Sequence, residues 1–325
     1  MTLSPIGGVG FAPYHRLGDP KSIRGHDSLA SATLTEVTRP TFDLQSHSLY
    51  SDGELSPAGV VTAAAAAGVE LLALTDHDSI DGVDEANLAA ARCGIELVAA
   101  TELSTLDEAA QDLHVLGYLV DTANDALGAQ LATSRRDRET RSEQMADALR
   151  ELGLAIDEST LRSRGEQGKA IGRPHIAQAV FDHPDNADRL KREGLADPSA
   201  VLVAYMIEGR PGFRPRQAPL VADAIELIHQ AGGVAVWAHP FWDIPNASDM
   251  LATLDRFVAL GLDGVEAFYV THTRAQTELL VDRCNELGLL TTGSSDFHGP
   301  NHREFNRFRA HETYGLASNL GPILE

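Results

Sequence analysis

Alternation sets the limits on what this chain can become. Short apolar runs of strand length recur along it, and between several of them lies a helical pattern with its own start and stop signals. The runs cover residues 41–45, 70–75, 95–100, 112–119, 234–238, 264–268 and 289–293. Ser56-Pro57 sets an N-cap followed by proline in the first turn, GVVTAAAAA carries the helix on, and Gly68 stops it. In the same way residues 220–230 end at Gly232-Gly233, and residues 273–287 end at Gly288. Strand, helix, strand at this spacing predicts βαβ units and a parallel sheet. Seven strands without a dinucleotide-binding fingerprint favour a closed or nearly closed α/β barrel over an open sheet.

The fourth and fifth runs are separated by more than a hundred residues of helical character, with patterns over 126–152, 173–181, 187–193 and 198–207. An insertion of that size is expected to form a lobe over one end of the barrel, not a loop. The expected organisation is a tail or loosely docked extension over 1–40, a barrel from 41–124 and 217–325, and a helical cap from 125–216. Charge divides along the same lines. The formal net charge is -21, yet residues 125–216 hold 15 of the 26 Lys and Arg and 15 of the 47 Asp and Glu. The cap is therefore neutral and the remainder carries the whole excess. So acidic a chain is not expected to coat itself with duplex nucleic acid.

No stretch approaches the ~20 apolar residues that span a bilayer. The opening MTLSPIGGVGFAPYHRLGDPK lacks the basic and apolar regions of a secretory signal. Cys93 and Cys284 form no CxxC pair and are expected to be buried free thiols, so the expected location is the cytoplasm.

Histidines and acids collect at the strand ends. His47 and Asp52 follow the first run in DLQSHSLYSDG, and Asp76, His77 and Asp78 follow the second in TDHD. Glu102 follows the third in ATELS, His114 lies on the fourth, His239 follows the fifth in AHP, and Asp296 and His298 follow the seventh in GSSDFHG. A lone histidine is ordinarily a surface or satisfied core residue, and His15, His26, His183, His229, His302 and His311 take that reading. Five His, two Asp and one Glu converging on the C-terminal rim, where barrel enzymes build their sites, are more than one ion needs. They suit two or three divalent ions of Mn, Zn or Fe type. The chain has no GxSxG elbow, no cysteine nucleophile motif and no Walker loop. Metal ions about 3.5–4 Å apart can instead activate water and clamp a phosphate. Glu102 can bridge two such ions, and Asp52 or His298 can pass a proton through water to the leaving group. His77, Asp52, Glu102 and His298 are the expected catalytic residues.

These residues resemble the PHP family, named for its polymerase and histidinol phosphatase members. Its pattern of D-L-H-x-H-S, S-D-G, T-D-H-D, G-x-E, A-H-P and G-S-D-x-H is nearly all present in order. Longer phrases over most of 41–299, among them GELSPAGVVTAAAAAGVELLALTDHDSIDG, IGRPHIAQAV and IELIHQAGGVAVWAHP, are similar to the members that act on 3',5'-nucleoside bisphosphates and short RNA ends. The resemblance implies a distorted (β/α)7 barrel with an inserted helical cap and a three-metal site. His47, Glu102 and Asp296 would hold one ion, Glu102, His114 and His239 a second, and Asp52, His77 and His298 a third. Gln45 stands where the family pattern has its first histidine, and a carboxamide oxygen is a weaker ligand than imidazole for Mn or Zn.

The resemblance also places an R-x-x-R pair at Arg138 and Arg141 and a G-R-x-H segment at Arg173 and His175, expected to bind substrate. Guanidinium groups make bidentate, permanently charged contacts to phosphate. Arg135 and Arg136 are expected on a solvated face tied by pairs to Glu139 and Glu143, while Arg162, Arg164 and Lys169 are further candidate contacts. The expected activity is metal-dependent hydrolysis of a nucleotide phosphate ester, the 3'-phosphate of a 3',5'-bisphosphate or a short RNA end. Two other readings stand beside it. One is a phosphatase for a small metabolite of the histidinol phosphate kind, for which so many cap arginines are more charge than one phosphate needs. The other is a nucleotide-binding protein whose metal site has degenerated, for which Gln45 is the motive and the intact remainder of the set the objection.

Overall fold

The computed structural model of the chain describes residues 41–107, 112–166 and 171–324. Tail residues 1–40 and Lys169 lie outside these residues, as do His15 and His26. The strands β1 (Phe42–Asp43), β2 (Leu71–Leu74), β3 (Glu96–Leu106), β4 (Asp112–Tyr118), β5 (Val234–Trp237), β6 (Gly264–Tyr269) and β7 (Leu290–Ser294) follow one another across the sheet in chain order. The Leu44 N–H donates to the Gly293 carbonyl at 3.1 Å and Ser46 pairs with Phe297, so the first and last strands meet and the barrel is nearly closed. α1 (Pro57–Ala66) and α2 (Val83–Cys93) follow β1 and β2. Between β4 and β5 come α3 (Asp125–Glu151), α4 (Glu158–Glu166), α5 (Arg173–Phe181), α6 (Ala187–Glu193) and α7 (Pro198–Tyr205), then α8 (Val221–Gln230). The last helices are α9 (Pro240–Asp243), α10 (Ala247–Ala259) and α11 (Arg274–Leu287).

The sheet is not all parallel, as the spacing predicts. β4 runs antiparallel to both β3 and β5. The reason is reach: residues 107–111 alone join β3 to β4, and a parallel crossover needs a dozen or more. β3 also runs on well past residue 100, because Glu102 to Leu106 pair with the start of β4. These changes bear on the site. Glu102 sits within a strand and is held from both sides of the ladder. His114 sits near the start of β4, and the reversed direction brings that start to the rim where the other strands end.

Packing follows burial on both faces. The β2 sequence LLAL is buried throughout, as expected of a strand with helices outside and side chains inside. Leu44, Leu71, Val98, Leu116, Tyr118 and Val236 share one apolar cluster, and the Tyr118 hydroxyl donates to the Leu44 carbonyl at 2.8 Å. α3 to α7 have an apolar cluster of their own, containing Met145, Leu149, Ile176, Val180, Val201 and Met206. Asn124 caps the start of α3, its side chain accepting from the Leu127 N–H at 3.0 Å. Cys284 is buried, but Cys93 is exposed, contrary to expectation, because it falls in a last turn of α2 where residues 91–94 are all exposed. No helix among the described residues is long and apolar enough to cross a membrane.

Candidate metal centre

The turn after β1 is shaped before it is functional. Asp76 accepts from the Ser48 N–H at 2.7 Å, the Ser48 hydroxyl at 2.6 Å and the Ser51 hydroxyl at 2.7 Å. Gly53 closes the turn, since a Cβ there would lie 2.2 Å from the His47 carbonyl oxygen. Asp76 is thus an anchor, and the turn presents His47 and Asp52. At the other strand ends the backbone bends sharply: His239 has φ 31° and Asp296 φ 52°, both left-handed. The His239 N–H in that conformation donates to the buried Glu266 carboxyl at 2.9 Å.

All eight expected ligand residues come together around Glu102. His47 Nε2 lies 3.1 Å from Glu102 Oε2 and 3.0 Å from Asp296 Oδ1. His114 Nδ1 and His239 Nε2 lie 2.7 and 3.2 Å from Glu102 Oε1. His77 has Nδ1 3.5 Å from Glu102 Oε2 and Nε2 3.6 Å from Asp52 Oδ2, while His298 Nε2 is 3.5 Å from Asp52 Oδ1. Three groups have ligand atoms within 4.8 Å of one another: His47, Asp52, His77 and His298; His77, Glu102 and His114; and His47, Glu102 and Asp296. The last is one of the expected sets. The other two share His77 or His47 with a neighbour, and His239 reaches the centre through Glu102.

The electrostatics of the cluster call for cations. Burial pushes His77 down to about 3 against the pull of Glu102 and Asp52, which leaves a neutral imidazole with a lone pair to give. Burial would also lower His47, but the Asp296 and Glu102 carboxylates beside it reverse this and hold it well above the ordinary range. Burial would raise Asp52, and the surrounding histidines, His77 first, hold it well below the carboxylate range instead. Without ions, protonated imidazoles and the Arg138 guanidinium are left to balance these carboxylates. His47 Nε2, His77 Nδ1, Asp52 Oδ1 and Asp296 Oδ1 are also sealed from solvent with no aligned hydrogen bond. Mixed imidazole and carboxylate donors that face one centre, several with atoms sealed and poorly aligned for hydrogen bonding, fit divalent metal ions.

Supporting residues hold these donors in place. Asp243, four residues after His239, lies 3.3 Å from its Nδ1 and turns Nε2 toward Glu102. The Tyr269 hydroxyl at the end of β6 donates to Asp296 Oδ2 at 2.8 Å. Gln45 is fully buried, and its Nε2 donates to Glu102 Oε2 at 2.9 Å. A histidine followed at i+4 by an acid was a usable signal for Asp243, whereas no motif singles out Tyr269 at the end of β6.

The cap arginines divide. Arg138 spends Nη2 on Asp78 at 2.7 Å and on the Ser104 hydroxyl at 3.3 Å, beside the recess that His77 and Tyr50 line. Arg135 pairs with Asp81 of the barrel and not with Glu139, and Arg136 donates to the Thr133 hydroxyl. Arg141 Nε donates to the Arg214 carbonyl at 2.9 Å, while its Nη2 is sealed without an aligned hydrogen bond. Arg216, in the segment that returns to the barrel, is a residue no motif singles out. It is half-buried overall, yet its Nη1 is sealed and without an aligned hydrogen bond. Burial, and then the charges of Arg216 and Arg173, push Arg141 down to about 10. His175 Nδ1 accepts the Gly172 N–H at 3.0 Å and so closes the start of α5. Arg162 is exposed beside Glu158. His302, taken as bland, stacks on Phe305 with ring centroids 5.1 Å apart and lies 5.1 Å from His298.

Fold and centre define an α/β-barrel hydrolase of the metal-dependent kind, and comparison with known proteins agrees. Residues 43–164 match the PHP domain. A 5'-3' exoribonuclease of Haemophilus influenzae is 33% identical over 80% of this chain and 90% of its own length. A 3',5'-nucleoside bisphosphate phosphatase of Chromobacterium violaceum is 34% identical over 79% and 87%. A solved structure of a Chromobacterium violaceum amidohydrolase with bound sulfate is 30% identical, covers 87% of this chain and 93% of that one, and superposes with a TM-score of 0.72. The chain belongs to the PHP family, and it is a hydrolase of phosphoric esters.

Proposed function

We propose that the substrate is a nucleotide carrying two phosphates, a 3',5'-nucleoside bisphosphate or the end of a short RNA, from which a phosphate ester is hydrolysed. The gathering of seven donor side chains around Glu102, with Arg138 beside the recess that His77 and Tyr50 line, is the observation that carries this reading. His47, Glu102 and Asp296 would hold one divalent ion, Glu102, His114 and His239 a second, and Asp52, His77 and His298 a third. Such ions supply an activated water and neutralise phosphate charge. Asp243 and Tyr269 fix the direction of His239 and Asp296, and Asp76 holds the turn that carries His47 and Asp52. Water adds to phosphorus, the ester P–O bond breaks, and the leaving alcohol takes a proton, with Asp52 or His298 placed to pass it on.

The cap segment 125–216 serves as the second half of the site. Arg141 Nη2 has Asp112 at 4.0 Å without an aligned hydrogen bond, and Arg216 Nη1 is sealed without one; a sealed N–H lacking an acceptor costs about 1–3 kcal/mol, and an anionic ligand is an acceptor that fits both. Arg138, Arg173 and His175 complete this reading, which places the phosphate that is not cleaved among the arginines. A small metabolite with a single phosphate leaves that pocket of charge without a use. The relatives named for bisphosphate and RNA substrates support the same choice. Purified protein supplied with Mn should release inorganic phosphate from 3',5'-bisphosphates, and His77→Ala should reduce release by about 10³-fold or more, given what metal-bound water contributes. Absence of turnover with Mn, Zn, Fe, Mg and Co alike removes the proposal.

A further inference from the structure

We infer that Trp242 is the platform on which the substrate's base stacks, an inference that rests on the nucleotide reading above. Large aromatic side chains are ordinarily covered, yet Trp242 is 50% exposed. It lies on α9, three residues after His239 and next to Asp243, so the same short helix that aims a donor into the metal centre holds the indole at its rim. Its covered side is not idle. The ring packs edge-on against Phe305, with centroids 5.7 Å apart and planes at 63°. Phe305 in turn lies 5.5 Å from His298, and is stacked at 19° on His302, which is 5.1 Å from His298. Two ring-to-ring steps therefore link the exposed indole to a side chain of the metal cluster. The contact with Phe305 fixes the tilt of the indole, and half of its surface stays open to solvent.

A ring held this way offers what a nucleobase needs. Stacking is tolerant of sequence, since every base has a π face, and it needs a flat partner whose orientation is set in advance. A protein with 47 acidic residues and a net charge of -21 gains little general attraction for a nucleotide. A base contact that is not electrostatic complements the few arginines that meet the phosphates.

The test compares two substrates with the same phosphates, adenosine 3',5'-bisphosphate and its abasic tetrahydrofuran counterpart. In Trp242→Ala, the preference for the base-bearing substrate, as a ratio of kcat/KM values, should fall by roughly 5- to 150-fold, the range that one lost base stack supports. Trp242→Phe should restore most of it. Binding is read independently by indole fluorescence with adenosine 5'-phosphate, the product, because the other tryptophan, Trp237, is fully buried. Quenching should occur in the wild type, be absent in Trp242→Phe, and be absent with the abasic product. An unchanged preference in Trp242→Ala, or quenching that survives Trp242→Phe, would overturn the inference while leaving the phosphoesterase reading intact. No phosphate release from either substrate would strike that reading, and the fluorescence titration would still decide this one.

Discussion

Glu102 is approached by nitrogen on every side: His47 and Gln45 at one oxygen, His114 and His239 at the other, and His77 beyond. Four of these five can give a lone pair to a cation, but the Gln45 amide nitrogen can only donate a proton. Its hydrogen bond at 2.9 Å therefore occupies Glu102 Oε2 at the very edge where the group His47, Glu102 and Asp296 would share an ion. The amide oxygen faces the Ser294 hydroxyl at 3.4 Å, so the side chain is tethered at both ends. This ion position should be the most weakly held of the three. Gln45→His removes the donor and adds an imidazole, and elemental analysis of desalted protein should show about one more tightly held Mn or Zn per chain. An unchanged metal content would mean that Gln45 does not limit that position.

At the scale of elements, helix α3 is fastened to the barrel by charge, Arg138 to Asp78, Arg135 to Asp81 and, at 4.0 Å, Arg141 to Asp112, while one nitrogen of Arg216 is sealed without an aligned hydrogen bond. Burial first, and then the charge of Arg138, loosens the hold of Arg216 on its proton, which marks it as a strained cation. Replacing it by an apolar chain of similar length should relieve that strain. Arg216→Met is expected to be more stable than the parent by about 1 kcal/mol without ligand, seen as a higher denaturant midpoint, and to raise KM for a bisphosphate about tenfold or more. Lower stability with an unaltered KM would make Arg216 a structural residue. Periodicity in the sequence locates every strand and most helices here, because apolar runs and proline or glycine punctuation act locally. The direction of β4 was not read, because the apolar run of 95–100 stops short of the true end of β3 at Leu106 and hides how few residues join the two strands. The candidate donors were legible because most follow an apolar run and His114 lies on one. Arg216 and Tyr269 were not, since their roles arise from distant segments meeting and leave no spacing behind. Cys93 misled because a helix pattern does not reveal how far its last turn overhangs.

The whole molecule concentrates negative charge in the barrel and folds three of its carboxylates around one point. Asp52, Glu102 and Asp296 are brought within reach of five imidazoles, and without ions the assembly must take up protons to stay balanced. An ion that binds the folded chain and not the unfolded one stabilises it by mass action, about 2.7 kcal/mol at a concentration one hundred times its dissociation constant. For a chain of this size that corresponds to a rise in Tm of about 4 °C for one site. Stripping the protein with a chelator should therefore lower Tm by at least that amount, and added Mn should restore it in proportion to the logarithm of its concentration. Asp243→Asn leaves all eight donors in place but weakens the support of His239, so its restoration curve should shift to about 10- to 100-fold higher Mn. Because the measurement is a melting temperature, it reads the centre apart from turnover. A Tm indifferent to chelator and to Mn would mean that the imidazoles and carboxylates satisfy one another as a closed network. The pairs around Glu102 are short enough for such a network, but the sealed and unaligned atoms of His47, His77, Asp52 and Asp296 argue that they do not form one.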